Sequence, residues 1–187
     1  MIGSLPRTLM CGGIERKINS DFRNILTINA AFCDDLLYPR EQLHICMKRL
    51  YMDIRAVDRA DFEEAQEKAF WFIRGGDMPE GKPAPCRLID WKHDESMIFA
   101  AVNNVAHCEV RALEYMHWWT FLGYLSERSE KSLLSSVIAL RYKLGTGKKL
   151  DKWDKEFLKN NRELVILRTE KEKREIAEVE EFLRRFT

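Results

Sequence analysis

Apolar residues recur along most of this chain at the three- and four-residue spacing of an amphipathic α-helix. The clearest example begins at Pro39, which suits the first turn of a helix because the backbone N–H that proline lacks would be unpaired there anyway. Its apolar positions are Leu43, Cys46, Met47 and Leu50. The pattern predicts a helix that starts at Pro39 and continues to Ile54.

The chain before Pro39 predicts a hairpin and one helix. Gly12 and Gly13 separate two short strand-like runs, which is the usual signal for a β-hairpin, and we expect a small β appendage there. Asp21 ends a run of three residues with capping side chains, and apolar positions at helical spacing follow it. We therefore predict a helix that begins after Asp21 and ends near Cys33.

The next predicted helix has a signal at each end. Asp58 and Asp61 supply the negative charge that favours a helix N-terminus, and Gly75–Gly76 can adopt the left-handed conformation that ends a helix. Its predicted buried face consists of Phe62, Ala65, Ala69, Phe72 and Ile73.

Three more helices are predicted in the second half of the chain. Asp94 or Ser96 can start the first, whose apolar positions are Ile98, Ala101, Val102 and Val105. The second is strongly aromatic and is expected to run from about Leu113 to Ser126. The third is expected to bury Leu133, Leu134, Val137, Ile138 and Leu144.

The aromatic helix is the most distinctive of these elements. A histidine, His117, stands beside paired tryptophans, and apolar residues occur on nearly every side of the predicted helix. We expect Trp118, Trp119 and Phe121 to be core residues. A buried His117 is expected to hydrogen-bond a backbone carbonyl or a neighbouring tryptophan, the alternative being a ligand-binding or catalytic role.

The chain is predicted to be a mainly α, single-domain bundle of about six to seven helices over residues 1–166, with the small N-terminal hairpin. Prolines and a glycine between residues 77 and 87 indicate an irregular loop. Residues 167–187 read as a charged helical extension with six basic and six acidic side chains. Its apolar stripe, which suits docking on the protein body or on a second copy, consists of Ile176, Val179, Leu183 and Phe186.

The composition adds little that is specific. Among 187 residues, 31 Lys and Arg balance 30 Asp and Glu, so no strong field attracts nucleic acid or an anionic membrane. No apolar run approaches the roughly 18 to 20 residues that span a bilayer, and no signal peptide is recognisable at the start. We expect a soluble, cytoplasmic protein. Its five scattered cysteines are expected to be reduced thiols.

No pattern in the sequence indicates catalysis. Candidate metal ligands occur without a metal-binding spacing, and the same residue types lack the signature of a Cys–His nucleophile pair. These candidates are His93, His107, Cys108, Glu109 and His117, with Cys86 upstream. Residues 141–162 hold eight basic and three acidic side chains but no DNA-reading motif, which favours a solvated face. We expect neither an enzyme nor a protein that binds metal, cofactor or nucleic acid.

Four segments together resemble one protein family. They are Gly-Gly-Ile-Glu-Arg-Lys-Ile-Asn-Ser-Asp-Phe-Arg at 12–23, Phe-Ile-Arg-Gly-Gly at 72–76, Leu-Ile-Asp-Trp-Lys-His-Asp at 88–94 and His-Trp-Trp-Thr-Phe at 117–121. With these segments the chain resembles the gene-product-fifteen family of long-tailed phages and prophages of Gram-positive bacteria. The resemblance extends from about Leu9 to Val165.

The resemblance implies a helical tail assembly chaperone that works in the host cytoplasm during viral morphogenesis. Its implied partners are the tape measure protein and the tail tube protein, and the family pattern supplies no catalytic residues. The terminal stripe is the candidate partner-binding surface, and a homo-oligomer is a further possibility. A structural tail or connector component retained in the virion is the alternative, and an enzyme with an unrecognised site is a third hypothesis.

Overall fold

The computed structural model of the protein describes residues 3–76, 84 and 86–184, and within them helices predominate. Two strands, β1 (Thr8–Cys11) and β2 (Ile14–Lys17), pair in an antiparallel sheet. The helices are α1 (Phe22–Phe32), α2 (Pro39–Leu50), α3 (Phe62–Ile73), α4 (Glu95–Ala106), α5 (Trp118–Ser126), α6 (Leu133–Gly145), α7 (Lys152–Asn160), α8 (Arg162–Val165) and α9 (Glu170–Arg184).

The mainly α class and the N-terminal hairpin are confirmed. The described residues form nine α-helices, more than the six to seven expected, because the stretch after Gly147 contributes the short helices α7 and α8. Most of the predicted Pro-rich loop over 77–87 lies outside the described residues. Within the described part of the chain, no helix is long and apolar enough to cross a membrane.

The hairpin is an integral part of the fold, so its interpretation as an appendage was wrong. Gly12 and Gly13 have φ of +60° and +72°, the left-handed conformation that a two-residue hairpin turn of this type requires. Leu9 and Cys11 of β1 are buried, and β1 packs against α3. The Gly12 amide donates to the Glu64 carboxylate of α3 at 2.8 Å, which fixes the turn to the helical body.

Local capping explains where α1 and α2 begin. Asp21 accepts a hydrogen bond from the Arg23 amide at 2.9 Å, and the amide of Tyr38, next to Pro39, donates to the Glu41 carboxylate at 2.8 Å. The predicted continuation of α2 to Ile54 was wrong. The helix ends at Leu50 because the chain then turns to pair with the end of β2, where the amide of Met52 donates to the carbonyl of Lys17 at 3.1 Å.

The predicted apolar faces of α3 and α6 are only partly buried. Phe62, at the first position of α3, is 38% exposed. In α6, Leu133 and Leu144 are exposed because they lie at the two ends of the helix, while Leu134, Val137 and Leu140 are buried in its middle. Apolar periodicity therefore predicted where each helix lies more reliably than it predicted which residues at the helix ends are buried.

A buried ion pair connects several segments in the second half of the chain. The guanidinium of Arg141 in α6 contacts the carboxylate of Asp94, just before α4, at 2.6 and 2.8 Å, and both side chains are buried. The same guanidinium donates to the backbone carbonyls of Leu88, Leu164 and Val165. Arg141 therefore connects α6 with the start of α4, the segment before it and the end of α8.

Candidate functional site

His117 is the N-cap of α5, although the predicted helix over Leu113–Ser126 placed it inside. The helix starts at Trp118 because the preceding residues are extended and pair with the segment before α1. The amide of Trp118 donates to the carbonyl of Ser20 at 2.8 Å, and the amide of Phe22 donates to that of Met116 at 3.0 Å. The histidine was therefore predicted in the right part of the core but in the wrong local structure.

The hydrogen bonds of His117 determine its protonation. Its Nδ1 lies 3.0 Å from the amide nitrogen of Trp119 and must accept, so in the neutral ring Nε2 carries the hydrogen and donates to the Pro6 carbonyl at 2.9 Å. Burial lowers the pKa of His117 below its ordinary value of 6.5, and the charge of Arg7 lowers it further, against the effect of the Pro6 bond. The neutral imidazole thus caps α5 and holds the N-terminal segment.

The paired tryptophans Trp118 and Trp119 cap the C-terminus of α3. The indole N–H of Trp118 donates to the carbonyl of Ile73 at 2.8 Å, and that of Trp119 donates to the carbonyl of Phe72 at 2.9 Å. A Cβ atom at Gly76 would lie 3.1 Å from the Trp119 ring, so the glycine is needed both for its positive φ and for this close approach. Trp118 therefore supplies a donor for the carbonyl of Ile73 in the last turn of the helix, and Trp119 adds a second donor to the carbonyl of Phe72, which also accepts from the Gly75 amide at 3.1 Å.

Trp118 contacts all three of the other segments that carry the family resemblance. Its amide bonds to Ser20 in the first segment, and its indole bonds to Ile73 in the second. Its ring lies 5.7 Å from that of Trp91 in the third segment and 5.7 Å from that of Phe121 in its own helix. The four segments are distant in sequence but form one packed centre, which gives a structural reason for their occurring together.

Among the residues considered for metal binding or nucleophilic chemistry, His117 and Glu109 have structural roles, whereas the buried Nε2 of His93 has no hydrogen-bond partner among the described residues. His107 has a φ of +54° and follows the last residue of α4, so it and the exposed Cys108 lie outside that helix. Hydrogen bonds from Arg111 lower the pKa of Glu109 to about 2. Burial raises the pKa of the Cys46 thiol to about 12. No group of three or more potential metal ligands is present among the residues that the structure describes.

The predicted partner-binding stripe is described at two of its four positions. On α9, Ile176 is 37% exposed and Val179 is 58% exposed. The side chain of Leu183 and the whole of Phe186 lie outside the described parts of the chain. Ile176 and Val179 line an open groove of about 460 Å³, which we call the terminal groove; its other lining residues are Ile166, Leu167, Arg168, Glu172 and Glu175.

A second exposed apolar feature, on α7, was not singled out from the sequence. Trp153 is 57% exposed and stacks on Phe157 with ring centroids 5.0 Å apart. Asp154, the next residue, points inward and pairs with Lys143 at 2.7 Å, which lowers the pKa of Asp154. A tryptophan within a lysine-rich stretch was the available signal, but the stretch was interpreted only as a solvated face.

Fold and surface together define a helical protein with a well-packed aromatic centre and exposed apolar faces near its C-terminus. The family model described as Bacteriophage Gp15 protein matches residues 1–167, and the chain belongs to this family. It is therefore a phage-associated protein of a structural or assembly kind. No curated protein and no solved structure shows significant similarity to it.

Proposed function

We propose that this protein is a non-enzymatic tail assembly chaperone of a long-tailed phage of Gram-positive bacteria. In this role it binds helices of the tape measure protein, and subunits of the tail tube, in the host cytoplasm. The observation that carries the proposal is the terminal groove, where Ile176 and Val179 present exposed apolar surface on an amphipathic helix. This surface follows directly on the region of the chain that matches the phage family.

The groove is suited to binding a helix reversibly. An amphipathic helix is recognised when its apolar side chains enter a hydrophobic groove and its polar face stays in water. One such contact of moderate strength can be released, whereas many copies along one long helical protein provide avidity. A chaperone that covers a tape measure and later leaves it needs both properties.

Two residues that were candidates for chemistry have structural roles, which supports a role without chemistry. His117, which looked most like a reactive residue, is neutral and has both ring nitrogens in structural hydrogen bonds. The carboxylate of Glu109 is paired with Arg111 at 2.8 Å. Both residues are explained by the fold alone.

Co-expression with the tape measure protein tests the proposal. Ile176→Asp/Val179→Asp places two charges in the terminal groove, and Glu178→Gln alters an exposed position of the same helix that does not line it. We expect the unmodified protein and Glu178→Gln to keep the tape measure soluble and to co-purify with it, and the double variant to do neither. No binding by the unmodified protein at micromolar concentration would contradict the proposal.

A structural component that remains in the virion is the second candidate. The observation that favours it is the presence of two separate exposed apolar features, at Trp153 and at Val179, which a subunit built into a larger particle would bury. Mass spectrometry of purified particles separates the two functions. A chaperone is absent from them, whereas a structural component is present in stoichiometric amount.

A further inference from the structure

The terminal groove has an acidic border. Glu172 and Glu175 are exposed and line it together with Ile176 and Val179. Arg168, the basic residue among the described residues of the lining, is paired with Glu163 at 2.8 Å, which offsets its charge. A ligand for this groove should therefore combine apolar side chains with positive charge.

The exposed surface of α7 is mainly basic. Trp153 provides a large apolar side chain, Lys152, Lys155 and Lys159 are exposed on the same helix, and the exposed acidic residue Glu156 lies one turn from Trp153. Lys148 and Lys149, just before the helix, add two positive charges, and the exposed N-cap residue Asp151 adds one negative charge. The other acidic residue of α7, Asp154, is buried and already paired with Lys143.

We propose that α7 of one copy docks in the terminal groove of a second copy, with Trp153 against Ile176 and Val179 and the lysines beside Glu172 and Glu175. Within one copy, Trp153 and the groove are both open to solvent, so neither covers the other. Tryptophan is among the residues that contribute most to binding energy at interfaces. This inference does not depend on the proposed function, since it needs no tail protein.

Charge also distinguishes this contact from a parallel coiled-coil pairing of two α9 helices. Parallel pairing through the apolar stripe would bring Glu172 and Glu175 of one helix close to the same residues of its partner, and like charges at an interface are unfavourable. Docking of α7 instead places opposite charges together. Because the two surfaces differ, the contact is heterologous, and it produces either a closed ring or an open chain of copies.

Sedimentation of the full chain alone, from low to high micromolar concentration, tests this contact. We expect the unmodified protein to self-associate with concentration, and less so at high salt because the charges are exposed. Trp153→Ala should weaken the association by about tenfold or more. Tyr38→Ala is the matched control, since Tyr38 is an aromatic residue that is 75% exposed on a different part of the fold, and it should associate as the unmodified protein does.

Charge reversal identifies which two surfaces meet. Lys152→Glu/Lys155→Glu and Glu175→Lys should each reduce self-association, and a mixture of the two variants should associate more strongly than either alone. Circular dichroism and thermal unfolding of each variant show whether the fold is retained.

A chain that stays monomeric at all concentrations, or a folded Trp153→Ala variant that associates normally, would overturn the proposal. So would a Trp153→Ala defect that appears only with the tape measure, which would assign α7 to that partner. Both proposals use the terminal groove, so Ile176→Asp/Val179→Asp affects both, whereas Trp153→Ala leaves the groove unchanged and should weaken self-association while the protein still co-purifies with the tape measure.

Discussion

The indole nitrogen of Trp118 lies 2.8 Å from the carbonyl oxygen of Ile73 and joins the start of α5 to the end of α3. The neighbouring Trp119 makes the equivalent bond to Phe72. Because both acceptors belong to the last turn of α3, the two tryptophans act as its C-terminal cap. The aromatic segment is therefore a structural joint between two helices.

Trp118→Ala should destabilise the protein by about 3 to 5 kcal/mol, since it removes a large buried aromatic side chain. Trp118→Phe keeps a ring but leaves the Ile73 carbonyl without its donor, and an unpaired buried acceptor adds about 1 to 3 kcal/mol to the cost of lost packing. Urea unfolding followed by circular dichroism measures both. Trp153→Phe, at the exposed tryptophan, is the control and should change stability by less than about 0.5 kcal/mol. Unchanged stability in Trp118→Ala would contradict the conclusion that Trp118 joins α5 to α3.

Arg141→Met should cost about 3 to 5 kcal/mol, because it leaves the buried carboxylate of Asp94 without its partner. Arg141→Met/Asp94→Leu removes both charges but should recover only part of this loss. The carbonyls of Leu88, Leu164 and Val165 would still lack the donors that the guanidinium provides.

The control for the buried pair is Arg168→Gln, which breaks an ion pair with the exposed Glu163. Exposed pairs contribute about 0 to 1 kcal/mol, so little change is expected. Chemical denaturation of all three variants gives the comparison. Equal losses in Arg141→Met and Arg168→Gln would mean that the buried network does not connect the helices as described.

These residues also show which parts of the fold were predictable. Asp21, Pro39 and Gly75 act within a few residues of their own position, so the starts of α1 and α2 and the end of α3 could be derived from local sequence. The start of α5 could not, because Met116 and His117 are held extended by pairing with residues 20–22. Their apolar neighbours had continued the helical pattern, and tertiary contact overrode it.

The candidate site also has features that local sequence predicts and features that depend on tertiary contacts. The exposed stripe at Ile176 and Val179 is visible from helical spacing alone, whereas the groove beside it depends on how residues 166–168 turn before α9. Arg141 was counted with a solvated basic stretch, since its partner Asp94 is 47 residues away in sequence. Net charge along a segment does not show which charges are buried. Trp153 was missed because the same stretch was interpreted by its charge alone.

Gly12→Ala should destabilise the hairpin more than Gly13→Ala. Both glycines have positive φ, so either substitution costs about 1 to 2 kcal/mol of backbone strain. A Cβ at Gly12 would also lie 2.0 Å from an Asp61 carboxylate oxygen, whereas a Cβ at Gly13 meets nothing within 4 Å. Urea unfolding should therefore show a further loss at Gly12. When Asp61→Ala is added to each variant, the difference in stability between Gly12→Ala and Gly13→Ala should become smaller. If the difference persists, the clash with Asp61 is not its cause.

Stability should fall with decreasing pH through the titration of His117. Its pKa is lowered in the folded state, so its contribution to stability is fully present above the unfolded value of about 6.5 and is lost as pH falls through the folded value. Protonation of Nδ1 removes the acceptor for the Trp119 amide and so breaks the cap of α5. His117→Asn keeps a side-chain acceptor at the cap position without titrating in this range.

Urea unfolding between pH 7.5 and pH 5 should show a smaller decrease in stability for His117→Asn than for the unmodified protein. Because the remaining histidines and carboxylates are common to both proteins, the difference between the two curves isolates His117. Parallel curves would show that the imidazole does not cap the helix in its neutral form.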